Sequence, residues 1–237
     1  VHAIHAFCDE AKQRDLKFDT DISNAAAVPG GSKKTPQGFE QMFMVNYLAK
    51  FILFNRLLED GSIPNGVFGK NKKEGDRPRI IFVASESHRS GDDLNFEELG
   101  VYKDFSMGEV VDLYGYYKLA LITFARELNR RLNPDGETDV AVHSLCPGPV
   151  NSNIAREAPG WAKPLVKVTF SLFFTAPMKA AEPVIFLAAA QSLEGKSDEY
   201  MHLMSKKDPD ERTAERENGQ KLWDRSRKLI EGISAPV

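Results

Sequence analysis

The stretch Arg79-Ile-Ile-Phe-Val-Ala84-Ser-Glu-Ser-His88 decides how the chain is read. Ile80 to Ala84 is apolar without alternation. That suits a strand buried on both faces of a parallel sheet rather than one lying half in water. Its polar tail, Ser85 to His88, falls just past the strand's carboxyl end, where open α/β sheets bind ligands. Asp139-Val-Ala-Val-His-Ser-Leu145 repeats the pattern downstream and runs into Cys146-Pro-Gly-Pro-Val150. Upstream, Ile22-Ser-Asn24-Ala-Ala-Ala-Val28 reads as a short strand entering a small-residue turn.

Between and around these strands the apolar residues take helical steps. The periodicity predicts helices over His2–Arg14, Gly38–Leu58, Val111–Leu132, Ala180–Ala190 and Gly219–Ile230, with a short strand over Tyr200–Met204. The first helix has no N-cap before it. Gly61 to Arg77 is rich in Gly, Asn and Lys and is expected to be an exposed excursion. Strand-then-helix repeats with short turns predict an α/β fold with a parallel sheet.

At 237 residues the chain is long enough for one domain with a full core. A net charge of -3, spread along the chain, excludes a basic stripe for nucleic acid. Cys8 and Cys146 have neither metal-ligand spacing nor a disulfide framework, which fits a reducing, cytoplasmic setting. No apolar run approaches the roughly 20 residues of a membrane span. The nearest, Leu165 to Phe174, carries a lysine and reads as a pocket wall or a surface resting against membrane. No signal peptide is visible.

The chemistry centres on Tyr114-Gly-Tyr-Tyr-Lys118. Four residues apart on a helix, the phenol and the ammonium share a face, and the cation is expected to lower the phenol's pKa from its ordinary value of about 10. A tyrosine tuned this way exchanges a proton with an alcohol or carbonyl. The spacing alone is common, so the surrounding residues must carry the reading. Asn24-Ala25-Ala26 after its strand is either an ordinary tight turn or a small-residue floor for a flat ligand. Asn46, in mid-helix where Asn is a poor helix former, is either a satisfied core group or part of a polar relay. Ser85 could donate to a substrate oxygen or cap the turn, with Ser87 its near-equal rival. His88 reads as a surface or hydrogen-bonding residue. Pro147-Gly148-Pro149 breaks the chain past a buried strand and would expose backbone N–H groups, such as that of Val150, to an amide ligand.

Taken in order, Asn-Ala-Ala, Asn46, Val-Ala-Ser85, Tyr114-x-x-x-Lys118 and Pro147-Gly148 resemble the short-chain dehydrogenase/reductases. The strings Val83-Ala-Ser-Glu-Ser-His-Arg89, Leu128-Asn-Arg-Arg-Leu132, Val142-His-Ser-Leu-Cys-Pro-Gly148, Ser152-Asn-Ile154 and Lys221-Leu-Trp-Asp-Arg-Ser-Arg-Lys-Leu-Ile230 are most similar to the branch of the retinol dehydrogenases and the WW-domain-containing oxidoreductase. The resemblance covers nearly the whole chain. It implies a single, partial Rossmann-like, doubly wound parallel sheet over residues 1–237, with a small apolar substrate lobe at about 155–178. It implies an NAD(P)-dependent oxidoreductase acting on a small hydrophobic alcohol or carbonyl. Tyr114 would be the general acid/base. Lys118 would lower its pKa and hold the nicotinamide ribose, Ser85 would polarise the substrate oxygen, and Asn46 would hold a relay water. Pro147, Gly148 and Val150 would border the nicotinamide, with Asn24 and Ala25 on the adenosine side. No metal is implied. A homodimer through the helices at 38–58 and 112–132 is implied, and peripheral membrane contact is compatible with the apolar lobe.

The sequence departs from the family in two places. The usual Asn-Asn-Ala-Gly turn is Ser23-Asn24-Ala25-Ala26, one methyl tighter. The Gly-rich Thr-Gly-x-x-x-Gly-x-Gly turn, which carries the cofactor pyrophosphate to a helix N-terminus, occurs nowhere in the 237 residues. The expectation is therefore a truncated form lacking about two βα units, on the order of 60 residues. With them goes the residue that selects NAD or NADP. The cofactor is then NADP or NAD, with the resemblance leaning to NADP. The missing turn also keeps open a non-catalytic binding or partner subunit. A hydrolase built on Ser85 and His88 is remote, since the two are too close along the chain for a triad and no nucleophile elbow is present.

Overall fold

A computed structural model describes residues 1–106, 108–149 and 176–234. Helix α1 is His2–Gln13, strand β1 Thr20–Ser23, and β2 Arg79–Val83. Helix α2 runs continuously from Gln41–Phe43 through a π turn at Met44–Leu48 into Ala49–Glu59. Then come α3, Val110–Leu132, and β3, Ala141–Cys146. Helix α4 is Pro177–Ala189, β4 Tyr200–His202, β5 Ser205–Lys207 and α5 Arg216–Ser234.

The five strands form one sheet in the order β1-β2-β3-β4-β5. The first four run parallel, with Ile22 beside Ile81, Val83 beside Leu145 and Ser144 beside Tyr200. Strand β5 turns back antiparallel on β4. This is a parallel-dominated Rossmann-like sheet with helices on both faces. The expected strand at Tyr200–Met204 is therefore a hairpin: β4 stops at His202, and Leu203 takes a left-handed φ of 53° to reverse the chain. The short strand expected to begin at Ile22 starts two residues earlier, at Thr20, and the small-residue turn expected after it is the loop from Asn24 to Val28.

Predominantly apolar residues give β2 and β3 their place inside the sheet, where every residue of both is buried. Ile80 and Phe82 point into the main core with α1, α2, α3 and α5, while Ile81 and Leu145 meet Leu187 of α4 on the opposite face. The loop after α2 is only partly the exposed excursion expected. Gly61 to Asn65 are buried, and Asn65 knots the turn by accepting from Phe68 N and Gly69 N while donating to Leu58 O and Ile63 O.

The C-terminal helix decides what the other helices can meet. Trp223 of α5 stands edge-on to Phe51 at 5.0 Å and tilts against Phe124 at 6.0 Å, and the Arg131 guanidinium lies over its indole at 4.2 Å. Tyr47 and Ser226 share a buried hydrogen bond of 2.6 Å. Helix α5 thus covers apolar surface of both α2 and α3, the helices through which a homodimer was expected to pair. Strand β1 is the outer strand of the described sheet, and Ile22 on it is exposed. Among the described residues no helix is long and apolar enough to cross a membrane.

Candidate active site

The carboxyl ends of β1, β2 and β3 and the adjoining faces of α2 and α3 gather the residues that sequence reasoning singled out. Tyr114 and Lys118 lie on α3, one turn apart. Helix α3 comes close to the turn after β2 because Gly115 lies between them. A Cβ at Gly115 would stand 2.5 Å from the Ser87 carbonyl oxygen, so a larger residue would have to push the helix away. The close packing brings the Ser85 side chain beside the Tyr114 hydroxyl, where it acts to lower the phenol's pKa. This resolves the choice between the serines. Ser85 Oγ also accepts from Ser87 N at 3.2 Å, while Ser87 Oγ is buried with no partner among the described residues.

Lys118 is 1% exposed and donates to Val83 O at 2.9 Å, with its Nζ 5.4 Å from the centre of the Tyr114 ring. The expected effect of Lys118 on Tyr114 does not hold in this geometry. Burial raises Tyr114 to about 12, and the nearby Cys146 thiol adds to the rise, against a lowering by the Ser85 side chain. The ammonium lies over the ring and is bonded to the Val83 carbonyl, and desolvation of the phenol prevails. Lys118 is itself pressed down to about 7, by burial first and then by the charge of Lys50. At neutral pH the site therefore presents a phenol that keeps its proton and a lysine close to losing one.

Asn46 lies in the π turn of α2, fully buried. Its Oδ1 accepts from Ala27 N at 2.8 Å and its Nδ2 donates to Ala27 O at 2.9 Å. The side chain clamps the loop after β1 and makes no direct hydrogen bond to Lys118 among the described residues. The π turn is a common device at functional sites, and nothing in the apolar spacing distinguishes it from ordinary helix. One turn further, Lys50 donates to Ala25 O and is 5% exposed. Sequence reading missed Lys50. Its only signal was a cation four residues after Asn46 on the same helical face. Asn24, Ala25 and Ala26 are exposed above this clamp.

At the end of β3, Pro147 and Gly148 border the same edge. Gly148 has φ of 76°, and a Cβ there would come within 2.6 Å of Leu203 Cδ2, so the hairpin after β4 packs against it. Val150 and nearly all of the expected substrate lobe lie outside the described residues. His88 is a hydrogen-bonding residue, and it is fully buried, not on the surface. With Nδ1 donating to Ser85 O at 2.7 Å, its Nε2 accepts from Asp210 N at 3.0 Å. Burial lowers its pKa, which favours this neutral form. Glu86 supports the same turn. Burial alone would raise it, but hydrogen bonds from Lys207, Tyr200 and Arg89 outweigh that and hold it at about 2. Among the described residues no group of His, Cys, Asp and Glu could hold a metal ion.

The donor set fits the nicotinamide half of a dinucleotide. Lys118 spends one of its three N–H donors on a backbone carbonyl, beside a phenol and small, exposed strand ends. The Gly-rich turn for the pyrophosphate is absent from the sequence.

No family model matches the chain. It is 32% identical over 232 residues to retinol dehydrogenase 14 of Mus musculus, covering 97% of this chain and 64% of that protein. It is 28% identical over 225 residues to polyprenol dehydrogenase of Homo sapiens, covering 94% of this chain and 64% of that protein. Among solved structures it resembles the angucycline C-6 ketoreductase LanV with bound NADP, at a TM-score of 0.52 and 23% identity, covering 84% of this chain and 67% of that one. The chain thus spans about two thirds of the length of these relatives. The chain is similar in sequence, over nearly its whole length, to retinol and polyprenol dehydrogenases, and similar in fold to an NADP-bound ketoreductase.

Proposed function

We propose that this chain carries the catalytic half of an NAD(P)-dependent oxidoreductase that interconverts a hydrophobic alcohol and its carbonyl compound. The observation that carries the proposal is the Tyr114 hydroxyl set beside Ser85, with the Lys118 ammonium over the Tyr114 ring, at the carboxyl edge of a parallel sheet. The bound nicotinamide supplies or accepts the hydride. The chain's own residues do the rest. Ser85 orients the substrate oxygen, and Tyr114, protonated at neutral pH, gives that oxygen its proton in the reducing direction. Lys118 and Tyr114 would hold the nicotinamide ribose, Pro147 and Gly148 would border the ring, and Asn24 and Ala25 would line the adenosine side. The names of the relatives, retinol and polyprenol dehydrogenases, and the apolar stretch from Trp161 to Phe174 support a hydrophobic substrate. A homodimer stays part of this reading, with the constraint that α5 already covers much of α2 and α3.

The test is reduction of a graded series of aliphatic aldehydes with NADPH and with NADH, beside calorimetry of cofactor binding. The expected result is turnover rising with chain length. Tyr114→Phe should lose about 10²–10⁴-fold in kcat while binding cofactor within a few-fold of the parent. Equal turnover by Tyr114→Phe would refute the role of Tyr114. A second reading, a partner subunit without turnover, draws on the missing Gly-rich turn. A folded chain that binds neither cofactor would establish it over the first.

A further inference from the structure

We propose that Lys50 is a positioning residue of this site: its ammonium holds the Ala25 carbonyl past the end of β1 and, from the same pocket, opposes the charge of Lys118. The effect on catalysis rests on the oxidoreductase reading; the coupling between the two lysines does not.

Both side chains are at least nine-tenths buried. Each donates to a backbone carbonyl just at or past a strand end, Lys50 to Ala25 O and Lys118 to Val83 O. Strands β1 and β2 are adjacent and in parallel register, with Ser23 beside Phe82. The two carbonyls therefore belong to neighbouring chain ends of one sheet edge, where strands are about 4.8 Å apart. Among the described residues neither ammonium forms an ion pair with a carboxylate. The titratable groups facing Lys118 are Lys50 from α2, the Cys146 thiol from β3 and Tyr114 on its own helix. Two cations buried together without a counter-charge repel through a medium that screens poorly.

The consequences follow from that repulsion. Burial presses Lys50 down to about 8, and burial together with Lys50 presses Lys118 to about 7. The pair then holds fewer than two protons near neutral pH and titrates as a unit. Asn46 and Lys50, one turn apart, grip Ala27 and Ala25 from the same helix face. The loop that would line the cofactor and the charge state of Lys118 are thereby set by one element.

The experiment is lysine Cε NMR on the full 237-residue chain, labelled with ¹³Cε-lysine and titrated from pH 5.5 to 10. Lys118→Arg and Lys50→Arg assign the signals by loss of a peak. In the parent, the Lys118 and Lys50 signals should each show two inflections, the mark of coupled sites; two independent single-site curves would overturn the proposal. In Lys50→Met, the Lys118 proton affinity should rise about tenfold or more, and in Lys50→Arg, which keeps the charge, it should stay low. An unmoved midpoint in folded Lys50→Met, or an equal rise in both variants, would reduce Lys50 to a structural prop and end the proposal. The parent titration needs no variant to fold. A chain that shows the coupling yet neither binds NAD(P)H nor reduces aldehydes would refute the oxidoreductase reading alone.

Discussion

Asp21 offers a test of the site's foundation that needs no substrate. It lies in β1, beside Ile80 of β2, on the side of the sheet that faces the main core. Its Oδ2 is buried with no hydrogen-bond partner among the described residues, and burial raises the carboxyl from 3.8 to about 7. An acid whose folded pKa is raised binds more protons folded than unfolded. Its penalty is therefore absent near pH 4, grows as pH rises toward 7, and is complete above that. At ~1.4 kcal/mol per pH unit the ceiling is about 4 kcal/mol. Part of the side chain meets water, so screening brings the expected figure to about 1–2 kcal/mol. Asp21→Asn keeps the shape and removes the charge. Urea unfolding of parent and variant at pH 4.5 and pH 8.5 should give near-equal stability at the lower pH. At the higher pH the variant should be the more stable by about 1–2 kcal/mol. Taking the difference between parent and variant cancels other titrating groups that lie far from β1. A stability difference that is the same at both pH values would show that Asp21 is solvated, and would refute the reading of β1 as closed over that carboxyl. The outcome bears on function because β1 leads directly into the Asn24–Ala27 loop that Asn46 and Lys50 hold.

Two further predictions address the frame of the site. Asn46→Ala leaves the backbone N–H and C=O of Ala27 without partners, at a cost of about 1–3 kcal/mol less a few tenths regained in helix propensity. Hydrogen exchange at the Ala27 amide should quicken at least about tenfold; unchanged protection would mean the clamp is not what orders the loop. Trp223→Ala removes an indole that is 5% exposed, packed on Phe51 and Phe124 under the Arg131 guanidinium. A loss of about 3–5 kcal/mol is expected by denaturant unfolding. Sedimentation of the same variant should show new self-association as α2 and α3 are uncovered, and a monomer with intact stability would contradict the role given to α5.

Much of the architecture was legible before any coordinates, and for definite reasons. Ile80 to Ala84, an unbroken apolar run, and Asp139 to Leu145, which is mostly apolar, read as buried strands because a parallel sheet covered on both faces demands apolar residues on both sides of a strand. Tyr114 and Lys118 were placed on one helix face by spacing alone. The polar residues after each strand were placed at one edge because parallel strands end on the same side. Each of these is a local periodicity multiplied by a topological rule. The reading failed where the deciding contact was not local. The reversal at Leu203 that makes β5, the knot around Asn65 and the π turn at Met44–Leu48 each depend on partners that spacing does not reveal.

The protonation states were the largest reversal. Sequence proximity of Lys118 to Tyr114 predicted a lowered phenol, and the fold raised it, since burial and then the Cys146 thiol push it up. The sequence by itself determined the class of the fold, the positions of its buried strands along the chain and the residues expected at the sheet's carboxyl edge, because those follow from the pattern of apolar side chains along the backbone. Only the tertiary structure decided which serine meets the tyrosine, that Lys50 shares the pocket with Lys118, and which groups hold protons at neutral pH. Those properties depend on desolvation and on distances between segments far apart in the chain, and they take a value only once the chain has closed around them.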